Sequence, residues 1–274
     1  MPEAHTIHPG AQPLTVHSLA EQLGACGLAA GQTVLVHTAM SKLGWVCGGP
    51  VAVIQALLEV LGPTGTLMMP AHTTSNTDPS GWENPPIPES WWETIRASMP
   101  AFDPRVTPTR QMGRVAELFR TYPGALRSSH PTGSFAALGP NALRLTETHP
   151  LEEEFGDASP LGKLHDLDGY ILLLGVGHRN NTSLHLAEYR ADFPGKTYME
   201  EGAAMLVEGE RRWVTFQSLD WEPDDFGALG DTYEEARGIE RHPVGRTEAR
   251  FMKQRPLVDW ALRWMEENRV GGER

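Results

Sequence analysis

Three observations in the sequence predict an α/β domain of three layers, with a mixed, mostly parallel sheet covered by helices. Short β-branched and apolar runs at 32–37, 65–70 and 170–174 read as buried strands; a helix with clear start and stop signals separates the first two; a glycine turn follows the third. Strand, loop, helix and strand within about 40 residues form a βαβ unit, which requires a parallel pair beneath a helix. At 274 residues the chain can bury a full core, and residues 1–274 are read as one domain.

Taken in order, residues 16–30 form a first helix ending near Gly27, and Gln32-Thr-Val-Leu-Val-His37 is the first strand. Thr38 to Gly44 is its exit loop. Gly48-Gly49-Pro50 then starts a helix that runs to Leu61, with proline near its first position and Gly62-Pro63 as its stop. Gly65 to Pro70 is the second strand. Residues 72–109 break this rhythm: they are Pro-rich and polar, with Trp82, Trp91 and Trp92 among Asp78, Glu83, Glu89 and Glu93. Such a segment is an insertion, either a lid over a site or a packed excursion. Residues 111–122 look helical, 135–139 and 170–174 supply further strands, and the acidic stretch Leu151-Glu-Glu-Glu-Phe155 lies between those strands. Residues 203–207 and 211–216 flank Glu208-Gly209-Glu210 as a hairpin, and 256–268 is an amphipathic last helix. No internal repeat or low-complexity linker marks a boundary.

Composition excludes several classes. The net charge of −12 argues against nucleic acid or an anionic membrane as partner, while permitting a cationic substrate. No apolar run reaches the length of a membrane span. The opening Met-Pro-Glu-Ala-His lacks the basic segment and apolar core of a secretory signal, so a cytoplasmic location is expected. Cys26 and Cys47 form neither a disulfide framework nor a zinc spacing.

The stretch from Tyr170 to Arg190 is the most informative. An apolar strand breaks at Gly175 and Gly177, a helix follows that Asn181, Thr182 or Ser183 can cap, and His185 and Glu188 share one face of that helix. Strand ends of α/β proteins collect ligands and catalytic groups. Gly175-Val-Gly177-His-Arg-Asn180 resembles the start of a dinucleotide fingerprint, but Asn180 replaces the third glycine; a dehydrogenase is set aside, and the glycines are read as letting backbone approach a ligand. Imidazole titrates near neutral pH and suits a general base. Glu188 can orient His185 along the helix, and Asp220, after a predicted strand, can reach it through space. His178, His185 and Glu188 do not have the spacing of a His-Glu-x-x-His zinc motif, and no metal is assigned. His37 ends the first strand, and the helix start at Gly48-Gly49-Pro50, with Lys42 nearby, could receive phosphate. This is not a Walker loop. Ser128-Ser129-His130-Pro131-Thr-Gly-Ser134 lacks the Gly-x-Ser-x-Gly turn of a serine hydrolase; His130 and Ser134 either line a pocket or tie down a loop.

Together these pieces resemble a known family. Val36-His37-Thr-Ala-Met-Ser41-Lys42-Leu43-Gly44, Gly48-Gly49, Leu61-Gly-Pro-Thr-Gly-Thr-Leu67-Met-Met-Pro70, Thr107-Pro-Thr109, Arg127-Ser-Ser-His130-Pro and the run from Leu172 to Glu188 resemble, in order and over most of 15–265, the aminoglycoside N3-acetyltransferases. The resemblance implies the antibiotic N-acetyltransferase fold, distinct from the GCN5-related one. It implies acetyl-coenzyme A as co-substrate and transfer to the 3-amino group of the 2-deoxystreptamine ring of an aminoglycoside, conferring resistance. His185 matches the family's catalytic histidine, Glu188 its neighbouring acid, and Asp220 an acid after the next hairpin. Ser41, Lys42, Leu43 and Thr109 match coenzyme contacts, and His37, Thr38, His130 and Ser134 are assigned to that side as well. Candidates for the polycationic acceptor are His72, Asp78, Glu83, Glu153, Glu154 and Asp224. With no convincing thiol or serine nucleophile, direct attack is expected. A related enzyme for a non-aminoglycoside amine, or a non-catalytic aminoglycoside-binding protein, are the alternatives, and the chain is expected to be a monomer or homodimer. The insertion at 72–109 is longer than the resemblance leads one to expect for several members of the family and bears on the choice of acceptor.

Overall fold

The computed structural model describes residues 6–269. The first helix, α1 (Val16–Ala25), starts at a capping box between Thr15 and Ser18 and buries Leu19, Ala20 and Leu23. It leads into β1 (Thr33–Thr38), a one-turn helix α2 (Met40–Leu43), and α3 (Gly49–Leu61). Gly48, at φ 88°, and Gly62, at φ 62°, bound α3 in backbone conformations that other residues resist. After β2 (Thr66–Pro70) come the inserted region with α4 (Trp92–Ser98), then α5 (Gly113–Phe119), a short hairpin of β3 (Leu126–Arg127) and β4 (Phe135–Leu138), α6 (Ala142–Thr146), α7 (Pro160–Asp166), β5 (Tyr170–Leu174) and α8 (Ser183–Arg190). A long hairpin, β6 (Tyr198–Val207) and β7 (Glu210–Leu219), is followed by α9 (Phe226–Arg237), the pair β8 (Arg241–Val244) and β9 (Thr247–Lys253), and α10 (Gln254–Asn268).

Seven described strands make the main sheet, in the order β3-β4-β2-β1-β5-β9-β8. β1 is parallel to both neighbours, with Val34 opposite Leu67 and Leu35 opposite Ile171; β4 and β9 pair antiparallel to their neighbours and run against the other five strands. The mixed, mostly parallel sheet is therefore as expected, with antiparallel strands added on both sides of a parallel centre. Side-chain alternation separates the two covering layers. Val34, Val36, Leu67, Met69, Leu172 and Leu174 face the core under α1, α3 and α5. Leu35, Met68, Ile171 and Leu173 face the opposite core, under α7, α8, α9 and α10. Each fully buried leucine of this kind contributes ~1.5–3 kcal/mol of burial.

The β6–β7 hairpin forms its own two-stranded sheet. Its turn holds Glu208 at φ 53° and Gly209 at φ 82°, the conformation that the Glu-Gly-Glu signal requires. The inserted region is anchored to this hairpin. Phe102 N–H donates to Ala204 O at 2.8 Å, Arg211 donates to the carbonyls of Met99 and Arg96, and Arg96 forks onto Asp78 at 2.7 and 2.8 Å. No described helix is long and apolar enough to cross a membrane.

Candidate active site

The chain leaves β1 on one side to reach β2 and returns on the other side as β5, so the loops beyond the carboxyl ends of these strands diverge. A cleft forms at such a switch point. It has a volume of about 600 Å³ and is walled by Thr38 to Ser41 after β1, His72 and Thr74 after β2, and Val176 and Arg179 to Thr182 after β5. The turn out of β5 depends on Gly175 at φ 71°, where a Cβ would meet Thr247 at 3.2 Å and the Ala39 carbonyl at 3.3 Å. That glycine lets the backbone approach the protein itself, which corrects the expectation of a ligand contact there. Asn181 Oδ1 accepts from Ser183 N–H at 3.2 Å and so caps the start of α8.

One turn into α8, His185 reaches the cleft. Its Nδ1 lies 2.9 Å from Glu188 Oε2, and the other carboxylate oxygen accepts from Glu222 N–H at 2.7 Å and from Arg269 Nη1 at 2.6 Å. Burial pushes the Glu188 carboxyl upward. The hydrogen bond and charge of His185, the Glu222 N–H and the Arg269 guanidinium outweigh burial and hold Glu188 below the usual carboxylate range. An ionised Glu188 accepts from Nδ1–H and leaves the Nε2 lone pair of His185 for chemistry. The ring is fixed by stacking on Phe155 at 4.9 Å and by edge contacts with Phe226 at 4.8 Å and Trp221 at 5.0 Å.

His37 and His72 share this cleft with His185. Burial, and next the neighbouring His185, holds His37 down to about 3. Burial and the nearby His37 and His185 do the same to His72, also to about 3. Both are neutral imidazoles. His37 Nε2, Thr38 Oγ1 and both ring nitrogens of His72 are buried and have no hydrogen-bond partner among the described residues. Buried polar groups are rarely left in this state, so these atoms are available to a ligand.

Of the sequence-expected residues, His37, Thr38, Ser41, His72, Glu154 and His185 line the cleft, and Glu188 stands directly behind His185. The others lie elsewhere. Leu43 is fully buried in the core, and its carbonyl accepts from Arg246 N–H. Lys42 is exposed and does not line the cleft. Thr109 N–H donates to Glu117 at 2.7 Å. Ser134 Oγ donates to Ala71 O at 2.8 Å and accepts from Arg127 Nε at 3.0 Å; His130 lies 3.0 Å from both Leu151 O and Gly133 N. Between lining a pocket and tying down a loop, both do the latter. Asp78 is paired with Arg96 and held down to about 2, as the hydrogen bonds from Arg96 and Ser80 outweigh its burial. Asp224 is an exposed partner of Arg179, Glu83 is exposed, and Glu153 lies 3.4 Å from Ala158 N. Asp220 accepts from Thr197 at 3.3 Å, while the His185 nitrogen for which it was a candidate is bonded to Glu188.

Sequence reasoning missed the aromatic frame of His185, the Arg269 contact, and Gln111. Gln111 lines the cleft at φ 61°, a left-handed conformation that costs a non-glycine residue of order 1 kcal/mol. It also missed Glu201 on β6, whose carboxyl is pushed up by burial and by the nearby Glu154. His178, the other histidine of the Tyr170–Arg190 stretch, is structural: its Nε2 lies 3.0 Å from Glu234, and Gly230 leaves the room that its ring fills.

A carboxylate-backed imidazole in a cleft at the carboxyl ends of parallel strands belongs to an enzyme of the α/β class. Comparison with known proteins narrows the class. The sequence model described as aminoglycoside 3-N-acetyltransferase matches residues 35–266. The SPbeta prophage-derived aminoglycoside N(3')-acetyltransferase-like protein YokD of Bacillus subtilis is 43% identical over 257 residues, 93% of this chain and 94% of the relative. Its crystal structure superposes with a TM-score of 0.94 at 41% identity, covering 97% of this chain and 98% of that one. Aminoglycoside N(3)-acetyltransferase VII of Streptomyces paromomycinus is 40% identical over 276 residues, 96% of this chain and 94% of the relative. Two ligand complexes are similar as well: AAC-VIa bound to sisomicin, at 29% identity and TM-score 0.86 (95% of this chain, 100% of that one), and AAC-IIIb with CoASH, at 29% and 0.84 (96% and 100%). The chain belongs to the aminoglycoside 3-N-acetyltransferase family, a family of acyltransferases.

Proposed function

We propose that the protein transfers the acetyl group of acetyl-coenzyme A to the 3-amino group of the 2-deoxystreptamine ring of an aminoglycoside, in the cytoplasm, and that resistance follows. The observation that carries this reading is the 2.9 Å contact of His185 with an ionised, buried Glu188 on the wall of the cleft. Membership of the family and the likeness to coenzyme- and sisomicin-bound acetyltransferases support it.

In this mechanism His185 Nε2 accepts a proton from the attacking amine. The amine nitrogen forms a bond to the thioester carbonyl carbon, the carbon–sulfur bond breaks as the tetrahedral adduct collapses, and the thiolate of coenzyme A takes up a proton. Glu188 stabilises the imidazolium without itself carrying the proton. N–H groups of the turn at Ser41, on the cleft wall, are the donors assigned to the carbonyl oxygen as it gains charge. His37, Thr38 and Ser41 are assigned to the donor side, and His72 with Glu154 to the acceptor side, where Glu201 adds a second carboxylate near Glu154. The ion-paired Asp78 and Asp224 have small parts in this scheme.

The test is thiol release from acetyl-coenzyme A with a panel of aminoglycosides, with product regiochemistry by NMR. Acetylation at the 3-amino group is expected, with initial-velocity lines that intersect as for a ternary complex. Release with other amines but with no aminoglycoside would replace the acceptor, and parallel lines would replace direct transfer by an acetyl-enzyme.

A further inference from the structure

Behind the His185–Glu188 pair lies an arginine that the mechanism above does not use. Arg269, just past the end of α10, has a side chain only 8% exposed. Its Nε and Nη2 donate to the two oxygens of Asp225, both at 2.8 Å. Nη2 also donates to Glu222 O at 2.7 Å, and Nη1 donates to Glu188 Oε1 at 2.6 Å. The guanidinium carbon sits 4.8 Å over the Phe193 ring. One planar cation thus joins α8, the segment after β7 and the end of α10.

The arrangement has a direction. Glu222 donates its own N–H to the same oxygen of Glu188 that Arg269 grips, so the carboxylate is held at two points on one oxygen while the other faces His185. The segment held by Asp225 and the Glu222 carbonyl also carries Trp221, and Phe226 follows it at the start of α9; both rings pack against the imidazole. A lysine ammonium, a single compact donor centre, could not span both oxygens of Asp225, the Glu222 carbonyl and Glu188. The guanidinium fork makes them together.

We propose that Arg269 is a positioning residue for acetyl transfer, which fixes Glu188 and the Trp221–Phe226 segment so that His185 presents its free nitrogen to the acceptor amine. The proposal rests on His185 as general base. Arg269 touches neither substrate, and its effect passes through Glu188.

The electrostatic consequence has a definite sign. The groups facing His185 are Glu188 on its own helix, His37 at the end of β1, His72 after β2, Glu154 and Arg179 on the cleft wall, and the uncharged rings of Phe155, Trp221 and Phe226. Arg269 balances Glu188, and Asp225 in turn balances Arg269. Arg269→Gln leaves Glu188 uncompensated, favours the protonated imidazole, and should move the acid limb of kcat/KM to higher pH. Asp225→Asn removes a counter-charge of Arg269, raises the positive potential at Glu188 and His185, and should move the limb the other way.

The experiment measures the pH profile of acetyl transfer and, separately, the His185 ring titration by NMR, in the wild type, Arg269→Gln, Arg269→Lys and Asp225→Asn. Arg269→Gln should lose roughly 10–100-fold in kcat at neutral pH through misplacement of the base, with both KM values little changed. Arg269→Lys should recover part of that loss. Opposite movements of the His185 titration in the Arg269 and Asp225 variants support the proposal; an unmoved titration overturns it, whatever happens to the melting temperature. If Arg269→Gln does not fold, the Asp225 shift alone decides between these outcomes. Retained transfer by His185→Ala would sink the general-base reading, while the NMR titrations would still report whether Arg269 is coupled to His185.

Discussion

The two sides of the cleft treat their polar groups in opposite ways. Around Glu188, both carboxylate oxygens are engaged, by His185, Glu222 and Arg269. Elsewhere in the cleft, His37, Thr38 and His72 keep buried nitrogens and a hydroxyl without a partner among the described residues. A satisfied network is rigid and holds a geometry, whereas an unsatisfied one costs stability until something binds it. Under the proposed mechanism the difference divides the tasks: the Glu188 side orients the reacting nitrogen, and the His37–His72 side is completed by substrates.

Mutations can break this contrast in order of severity. His185→Ala should cost about 10²–10⁴-fold in kcat while sparing coenzyme A binding by calorimetry, since it removes the proton acceptor but no donor-side group. Glu188→Gln should cost roughly 10²-fold, near the lower end of that range, because an amide oxygen still accepts from Nδ1–H but cannot stabilise the imidazolium by charge. Turnover within a few fold of wild type for either variant would dissolve the oriented side as a functional unit.

His72→Phe tests the other side with a smaller effect. Losing one substrate hydrogen bond should raise the acceptor KM by up to about tenfold, while the melting temperature at pH 7 should not fall, because the buried ring nitrogens have no hydrogen-bond partner among the described residues to lose. The pH dependence follows from the folded value of about 3 for His72 against ~6.5 when unfolded. The unfolded chain takes up the proton first, so this stabilisation is complete above about 6.5 and is lost as pH falls toward 3. The variant should therefore show a shallower decline in melting temperature between pH 7 and pH 4 than the wild type; an identical decline would mean that His72 is not buried as a neutral ring.

The smallest effect on catalysis belongs to Glu234, which is away from both sides. Although burial pushes it up, hydrogen bonds from His178 and Arg241, with Arg250 beside it, hold its carboxyl down to about 2. Its stabilisation is complete above the unfolded value of ~4.3 and lost as pH falls toward 2. Glu234→Gln should lower the melting temperature at pH 7 and converge with the wild type near pH 2, with kcat nearly unchanged. A large kcat loss would extend the oriented side to the turn after β5.

The central strands were legible because apolar runs such as Tyr170 to Leu174 carry their burial in their composition, and the His185–Glu188 pair was legible because positions three apart on a helix must meet. β8 and β9 were not: Arg241, Glu248, Arg250 and Lys253 mask a strand pair near the sheet edge. Carboxylates were the least legible. Asp78 and Asp224 look no different in sequence from Glu154, yet Arg96 and Arg179 engage the first two, and only Glu154 of the three lines the cleft. Arg269 acts across 81 residues, a distance over which no periodicity applies. Asp220 failed as the orienting acid for the same reason, since a through-space partner is set by packing.

That 81-residue gap also gives the site an order of assembly. On the ribosome, the histidine and its glutamate leave the tunnel well before the arginine is made, so a nascent chain can form the helix that bears both while the carboxylate still lacks its cation. A chain cut short after Lys253 would keep all seven described strands of the main sheet and His185 but would leave Glu188 without the cation of Arg269.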